Sequence, residues 1–180
     1  MNRKLLVVVD MQNDFIDGSL GTPEAQLIVP KVIEKIKDNE GGLYMTMDMH
    51  LEDYLDTQEG ELLPVLHCIE GTHGVSIHKN VSKAAIDKGR HTVQHKDTFG
   101  SIELGKLVQD GFADGSISEV ELVGLCTDIC VISNALLIKA FCPEIKITVD
   151  ASCCAGVTPE SHKNALEAMK MCQINVIGEE

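Results

Sequence analysis

Short apolar runs that stop at a polar or reactive residue constrain this chain more than any other feature. The first, Lys4-Leu5-Leu6-Val7-Val8-Val9 before Asp10, is apolar at consecutive positions, as a strand buried on both faces must be. Further strand-like runs cover Leu43 to Met47 before Asp48, His91 to His95 before Lys96, Val120 to Leu125, Ile145 to Val149 before Asp150, and Ile174 to Ile177. Helical patterns lie between them. Thr22-Pro23-Glu24 offers an N-cap, a proline suited to the first turn and an acid near the positive helix end, and Leu27, Ile28, Val32, Ile33 and Ile36 then recur at helical spacing until Gly41-Gly42. Helices are also predicted from about Ile102 to Gln109, Ile129 to Ala140 and Pro159 to Met171. This alternation predicts an α/β protein: a three-layer α/β/α arrangement around a doubly wound sheet of about six mainly parallel strands.

At 180 residues the chain is expected to form one domain over 1–180. Its formal net charge of -13 repels phosphate backbones and anionic headgroups, so neither nucleic acid nor a membrane is an expected partner. No run approaches the roughly 20 apolar residues that cross a bilayer. The first strand begins almost at once, with no basic start, apolar core and small-residue cleavage site before it, so a cytoplasmic location is expected. The 7 cysteines are odd in number and lack C-x-x-C spacing, which argues for thiols, mostly small and buried, over a disulfide scaffold.

In doubly wound sheets a ligand sits beyond the carboxyl ends of the strands. Asp10, Asp48 with His50, Lys96, the turn leading to Cys130, and Asp150 all follow strands and are expected to converge on that rim. Gly124-Leu125-Cys126-Thr127-Asp128-Ile129-Cys130 places a thiol in the first turn of a helix, where the positive end lowers a cysteine pKa and offers backbone N–H groups to an oxyanion. A cysteine hydrolase also needs a group to take the thiol proton and return it to the leaving amine. Asp10 can do this, with Lys96 offsetting the burial of its charge, or His95 can. Alternation along the strand sends His95 and Lys96 to opposite faces, so one of them serves.

From Asp48 to about Asn80 the pattern is irregular, and so long a connection is more often functional than idle. Asp48-Met49-His50 opens it with two ligands that point to one side in extended chain and suit Zn, Mn or Fe. Glu59 and His67 follow in the same stretch. A carboxylate and two imidazoles leave positions open for water or substrate.

Val8-Val9-Asp10-Met11-Gln12-Asn13-Asp14-Phe15 with Gly18-Ser19-Leu20, Asp48-x-His50, His67-Cys68-x-x-Gly71-Thr72, Lys96-x-x-x-Gly100-Ser101 and Gly124 to Val131 together resemble the isochorismatase-like cysteine hydrolases. The metal loop is similar to their nicotinamidase and pyrazinamidase branch. The resemblance implies a triad of Asp10, Lys96 and Cys130, an oxyanion hole from the N–H groups of Cys126 and Cys130, and a cis bond at Leu125-Cys126. It implies a divalent ion, zinc first and Mn or Fe next, on Asp48, His50 and His67, with Glu59 as a further ligand. It also implies a small amide substrate and a homo-oligomer. Phe15, Leu20 and Phe99 are the candidate ring contacts. The chain departs from that branch at Leu62-Leu63-Pro64-Val65-Leu66-His67, which lacks the tryptophan that commonly precedes the proline and is one residue longer between proline and histidine. Another amide, a carbamoyl compound or an isochorismate-type vinyl ether is the second substrate reading. A metal- or redox-sensing module is the reading outside enzymes.

Overall fold

The computed structural model describes residues 3–179. Its sheet has six strands, all in parallel pairs: β1 (Lys4–Val9), β2 (Gly42–Asp48), β3 (Thr92–Lys96), β4 (Glu119–Leu125), β5 (Lys146–Ala155) and β6 (Asn175–Ile177). Their spatial order is β3-β2-β1-β4-β5-β6, so the chain reverses its direction of travel across the sheet between β1 and β4. The helices are α1 (Asn13–Ile16), α2 (Pro23–Asp38), α3 (Gln58–Leu62), α4 (Lys79–Lys88), α5 (Ile102–Ala113), α6 (Ile132–Phe141) and α7 (Pro159–Met171). Ile28, Val32 and Ile36 of α2 and Val81, Ala84 and Ala85 of α4 pack with Leu6, Val8 and Val123 on one face. Leu104 and Val108 of α5, Ile138 of α6 and Met169 of α7 pack with Val7, Val9 and Leu122 on the other. The expected three layers are thus formed, with β1 and β4 central and sealed on both sides.

Local chemistry sets the helix starts. The Thr22 hydroxyl accepts from Ala25 N at 3.0 Å with Pro23 in the first turn, and Thr158 and Ser161 form a reciprocal capping box ahead of α7. Pro30 lies inside α2 on its exposed face, where the carbonyl it leaves unpaired can turn to water.

Two parts differ from the sequence reading. The connection after β2 contains a 3₁₀ turn (Tyr54–Asp56) and α3, and α4 follows it. The apolar stripe of α4 is only Val81, Ala84 and Ala85, too small for a clear periodic signal. β5 does not stop at Val149. Two steps along β4, Leu122 to Gly124, face five along β5, Val149 to Cys154, so a bulge carries the strand on to Ala155. Asp150 therefore lies within the strand, 2.6 Å from Lys35 of α2, and not on the rim.

At the top of the β1–β4 pair, Gly124 adopts φ 118 and an added Cβ would stand 2.1 Å from the Val9 carbonyl oxygen. Only glycine permits that approach. The following Leu125–Cys126 peptide is cis.

Candidate active site

Asp10 leaves β1 with φ 46, in the left-handed region that an aspartate adopts at some cost. Its side chain is fully buried. Oδ2 lies 2.7 Å from Lys96 Nζ at the end of β3, and Oδ1 accepts a 2.6 Å hydrogen bond from the Thr46 hydroxyl of β2. Lys96 Nζ also stands 3.3 Å from Asp48 Oδ1 and 3.6 Å from Cys130 Sγ. One ammonium thus faces two carboxylates and the thiol. His95, next along β3, is exposed, which removes it as the alternative base.

Cys130 sits in a π-helical turn (Thr127–Val131) that leads into α6. The sequence reading expected a helix end to lower its pKa. The thiol instead lies well above its usual range: burial is the main cause and the Asp10 charge adds to it, while Lys96 opposes. Burial likewise raises Asp10 above the usual carboxylate value, with Lys96 opposing. Lys96 is itself held charged, because its carboxylate neighbours outweigh its burial. The resting site is a thiol beside an Asp–Lys pair. Burial, followed by Asp128, pushes Cys126 up to about 12, so it is no second thiolate.

Asp48, His50 and His67 each offer a ligand atom within 4.8 Å of the others, the one such group among the described residues. His67 Nδ1 lies 2.8 Å from the Val65 carbonyl, which can only accept; Nδ1 therefore carries the proton and Nε2 presents its lone pair to the cluster. Buried His50 Nε2 lies 2.9 Å from Asp48 Oδ2 without a hydrogen bond of good geometry. Two imidazoles and a carboxylate with an orphaned ring nitrogen fit a divalent metal ion. Glu59 Oε1, on α3, is 3.8 Å from both imidazole Nε2 atoms.

Four residues that hold this arrangement have no role assigned from sequence. Gln12, fully buried, donates from Nε2 to the carbonyls of Asp48 at 2.7 Å and Val75 at 2.8 Å, and its Oε1 accepts from Asp48 N at 2.8 Å. Asp14 Oδ2 accepts from Cys68 N at 2.8 Å, beside His67. Tyr54 packs its ring 4.7 Å from His50 and 4.9 Å from His67 and donates to the Leu63 carbonyl. Thr46 holds Asp10, as above.

A cavity of about 680 Å³ opens over Cys130 and Cys126 on one side and Asp48, Glu59 and His67 on the other. Phe15, Leu20 and Phe99 are in its lining, Phe15 with its ring 5.6 Å from that of His67. Leu63, just before Pro64, is also in the lining, together with the more exposed Leu62 and Val157.

Fold and site together define a doubly wound α/β protein with a buried Cys-Lys-Asp trio beside a metal-binding cluster. The chain belongs to the isochorismatase family: the isochorismatase domain matches residues 4–180. It is 25% identical over 184 residues to the nicotinamidase/pyrazinamidase of Mycobacterium tuberculosis, covering 97% of this chain and 98% of that protein. Among solved structures it is similar to a pyrazinamidase/nicotinamidase of Streptococcus mutans (26% identity, TM-score 0.80, 97% and 99% covered). It is also similar to a pyrazinamidase of Pyrococcus horikoshii in complex with zinc (25% identity, TM-score 0.76, 99% and 100% covered). Among the described residues no helix is long and apolar enough to cross a membrane.

Proposed function

We infer that this protein is a metal-dependent cysteine amidohydrolase that converts nicotinamide, pyrazinamide or a close analogue to the acid and ammonia. The observation that carries the reading is Lys96 Nζ between Asp10 Oδ2 at 2.7 Å and Cys130 Sγ at 3.6 Å, with Cys130 in the lining of the cavity that also holds Asp48 and His67. The two hydrophobic clusters share one sheet, which supports reading the chain as a single catalytic domain.

The chemistry follows from the protonation states. With the thiol pushed up, attack requires a base, and Asp10, itself raised toward neutrality, takes the thiol proton as sulfur bonds to the carboxamide carbon. The backbone N–H groups of Cys126 and Cys130 are assigned to the resulting oxyanion, a contact whose loss typically costs about 3 kcal/mol. Asp10 gives its proton to the nitrogen, the C–N bond breaks and ammonia leaves a thioester. Asp10 then deprotonates water, which adds to the thioester carbon; the C–S bond breaks, Asp10 returns that proton to the departing sulfur, and the acid leaves. Lys96 stays charged throughout and stabilises each anionic stage. Asp48, His50 and His67, with Glu59 at the open side, would hold the divalent ion, proposed to be zinc, which when bound supplies a Lewis acid for a ring nitrogen of the substrate.

The lining contains Asp48, Glu59 and Asp97 but no lysine or arginine. A dianionic vinyl ether or a carbamoyl carboxylate would find acidic side chains and no lysine or arginine along that lining. A peroxide-sensing role calls for an accessible low-pKa thiol, the opposite of Cys130.

Ammonia release from nicotinamide tests the reading. Wild type with zinc is expected to turn over, and folded Cys130→Ala to lose at least about 10⁴-fold in kcat. A wild-type protein that binds metal yet releases no ammonia from nicotinamide, pyrazinamide or related amides would overturn it.

A further inference from the structure

Resting on the amidohydrolase reading, we propose that the substrate is an uncharged ring carboxamide carrying an additional apolar substituent, which lies between Leu62, Leu63, Phe99 and Val157.

Size is the first argument. The cavity of about 680 Å³ lies within the roughly 300–1,000 Å³ span of pockets for drug-sized ligands, and a lone pyridine carboxamide fills a small part of it. The reacting end is already furnished: Cys130, Cys126, Asp48, His67 and Phe15 account for a thiol, an oxyanion site, metal ligands and a ring contact. The rest of the space is bounded by side chains from three separate connections: Leu62 and Leu63 at the end of α3, Phe99 after β3, and Val157 after β5.

Chemistry is the second. Leu62 is 80% exposed, Val157 52%, Phe99 46% and Leu63 36%, so four apolar groups face water around one opening. Exposed apolar groups grouped at a cleft mark a place where apolar surface is meant to be covered. The absence of a lysine or arginine, with Glu59 and Asp97 in the lining, excludes an anionic substituent. Burying apolar surface raises the efficiency of a neutral substituted amide by roughly fourfold per fully covered carbon.

The test is a kcat/KM series on the zinc-loaded enzyme with nicotinamide and nicotinamides bearing methyl, butyl, phenyl or carboxylate at each open ring carbon. The best butyl or phenyl compound is expected to exceed nicotinamide by at least about tenfold, and every carboxylate to fall below it by as much. In Leu62→Asp and Val157→Asp, exposed positions where folding is not at stake, the ratio of substituted to parent amide is expected to collapse toward unity. If nicotinamide is turned over and every substituent lowers its efficiency, the size inference is overturned and the amidohydrolase reading stands. If no member of the series is turned over, both fail.

Discussion

Lys96 Nζ stands 2.7 Å from Asp10 Oδ2 with both side chains closed to solvent, so the ammonium compensates a carboxylate that water cannot. It compensates Asp48 as well, at 3.3 Å. Lys96→Met is therefore expected to leave two buried charges facing each other and to destabilise the chelated protein by about 3–5 kcal/mol. That corresponds to a fall in Tm of roughly 6–20 °C for a chain of this size, read by calorimetry. A Tm within a degree or two of wild type would remove Lys96 from this role.

The pH profile reports on Asp10. Burial raises its pKa, and only the carboxylate can accept the thiol proton, so kcat/KM under saturating zinc is expected to fall with acid at a pH above the ordinary aspartate value of about 3.9. The Thr46 hydroxyl favours the charged form, so Thr46→Val raises the pKa further and activity is lost at still higher pH. One hydrogen bond to a charged group, about 1.5–3 kcal/mol, corresponds to a shift of roughly one to two pH units. Thr46→Ser should restore the wild-type limb. An unmoved limb in Thr46→Val argues against Asp10 as the base.

Metal removal has two readouts. Zinc at about 100 times its Kd is expected to stabilise the folded protein by about 2.7 kcal/mol, and chelation to reverse this together with turnover. In Asp48→Asn and His67→Ala the thermal shift should shrink or vanish. Retention of the full shift in both would place the ion elsewhere.

Gln12 tests how the metal loop is held. Gln12→Leu keeps the volume but strips the partners from Asp48 N and O, at about 1–3 kcal/mol for each buried group left unsatisfied. Zinc affinity is expected to drop about 10–100-fold, measured by competition with a chromogenic chelator, because the ligand loses its support. Unchanged affinity would mean that Asp48 needs no such brace.

Much of this was legible before any coordinates. Strands sealed on both faces, such as β1, must be continuously apolar, and the polar residue that ends the run falls on the rim, which is how Asp10 and Asp48 declared themselves; Lys96 ends β3, an edge strand of mixed polarity. Thr22 and Pro23 marked the start of α2. The β5 bulge did not show, because Asp150 and Ser152 interrupt the apolar run and read as a strand end. Thr46 looks like an ordinary strand residue, and the role of Gln12 depends on residues 48, 68 and 75 arriving beside it through space. The direction of the Cys130 shift depended on burial and on Asp10, neither of which its own segment records.

The stretch from Asp10 to Asp14 serves the base, the Asp48 backbone and the His67–Cys68 corner in turn, through Asp10, Gln12 and Asp14. Catalysis and metal capture are therefore mechanically one unit, and drift in either should be transmitted to the other. The outer walls at Leu62, Phe99 and Val157 hang on connections outside that stretch. Divergence among such proteins can thus exchange one clientele of amides for another while the reacting centre keeps its shape.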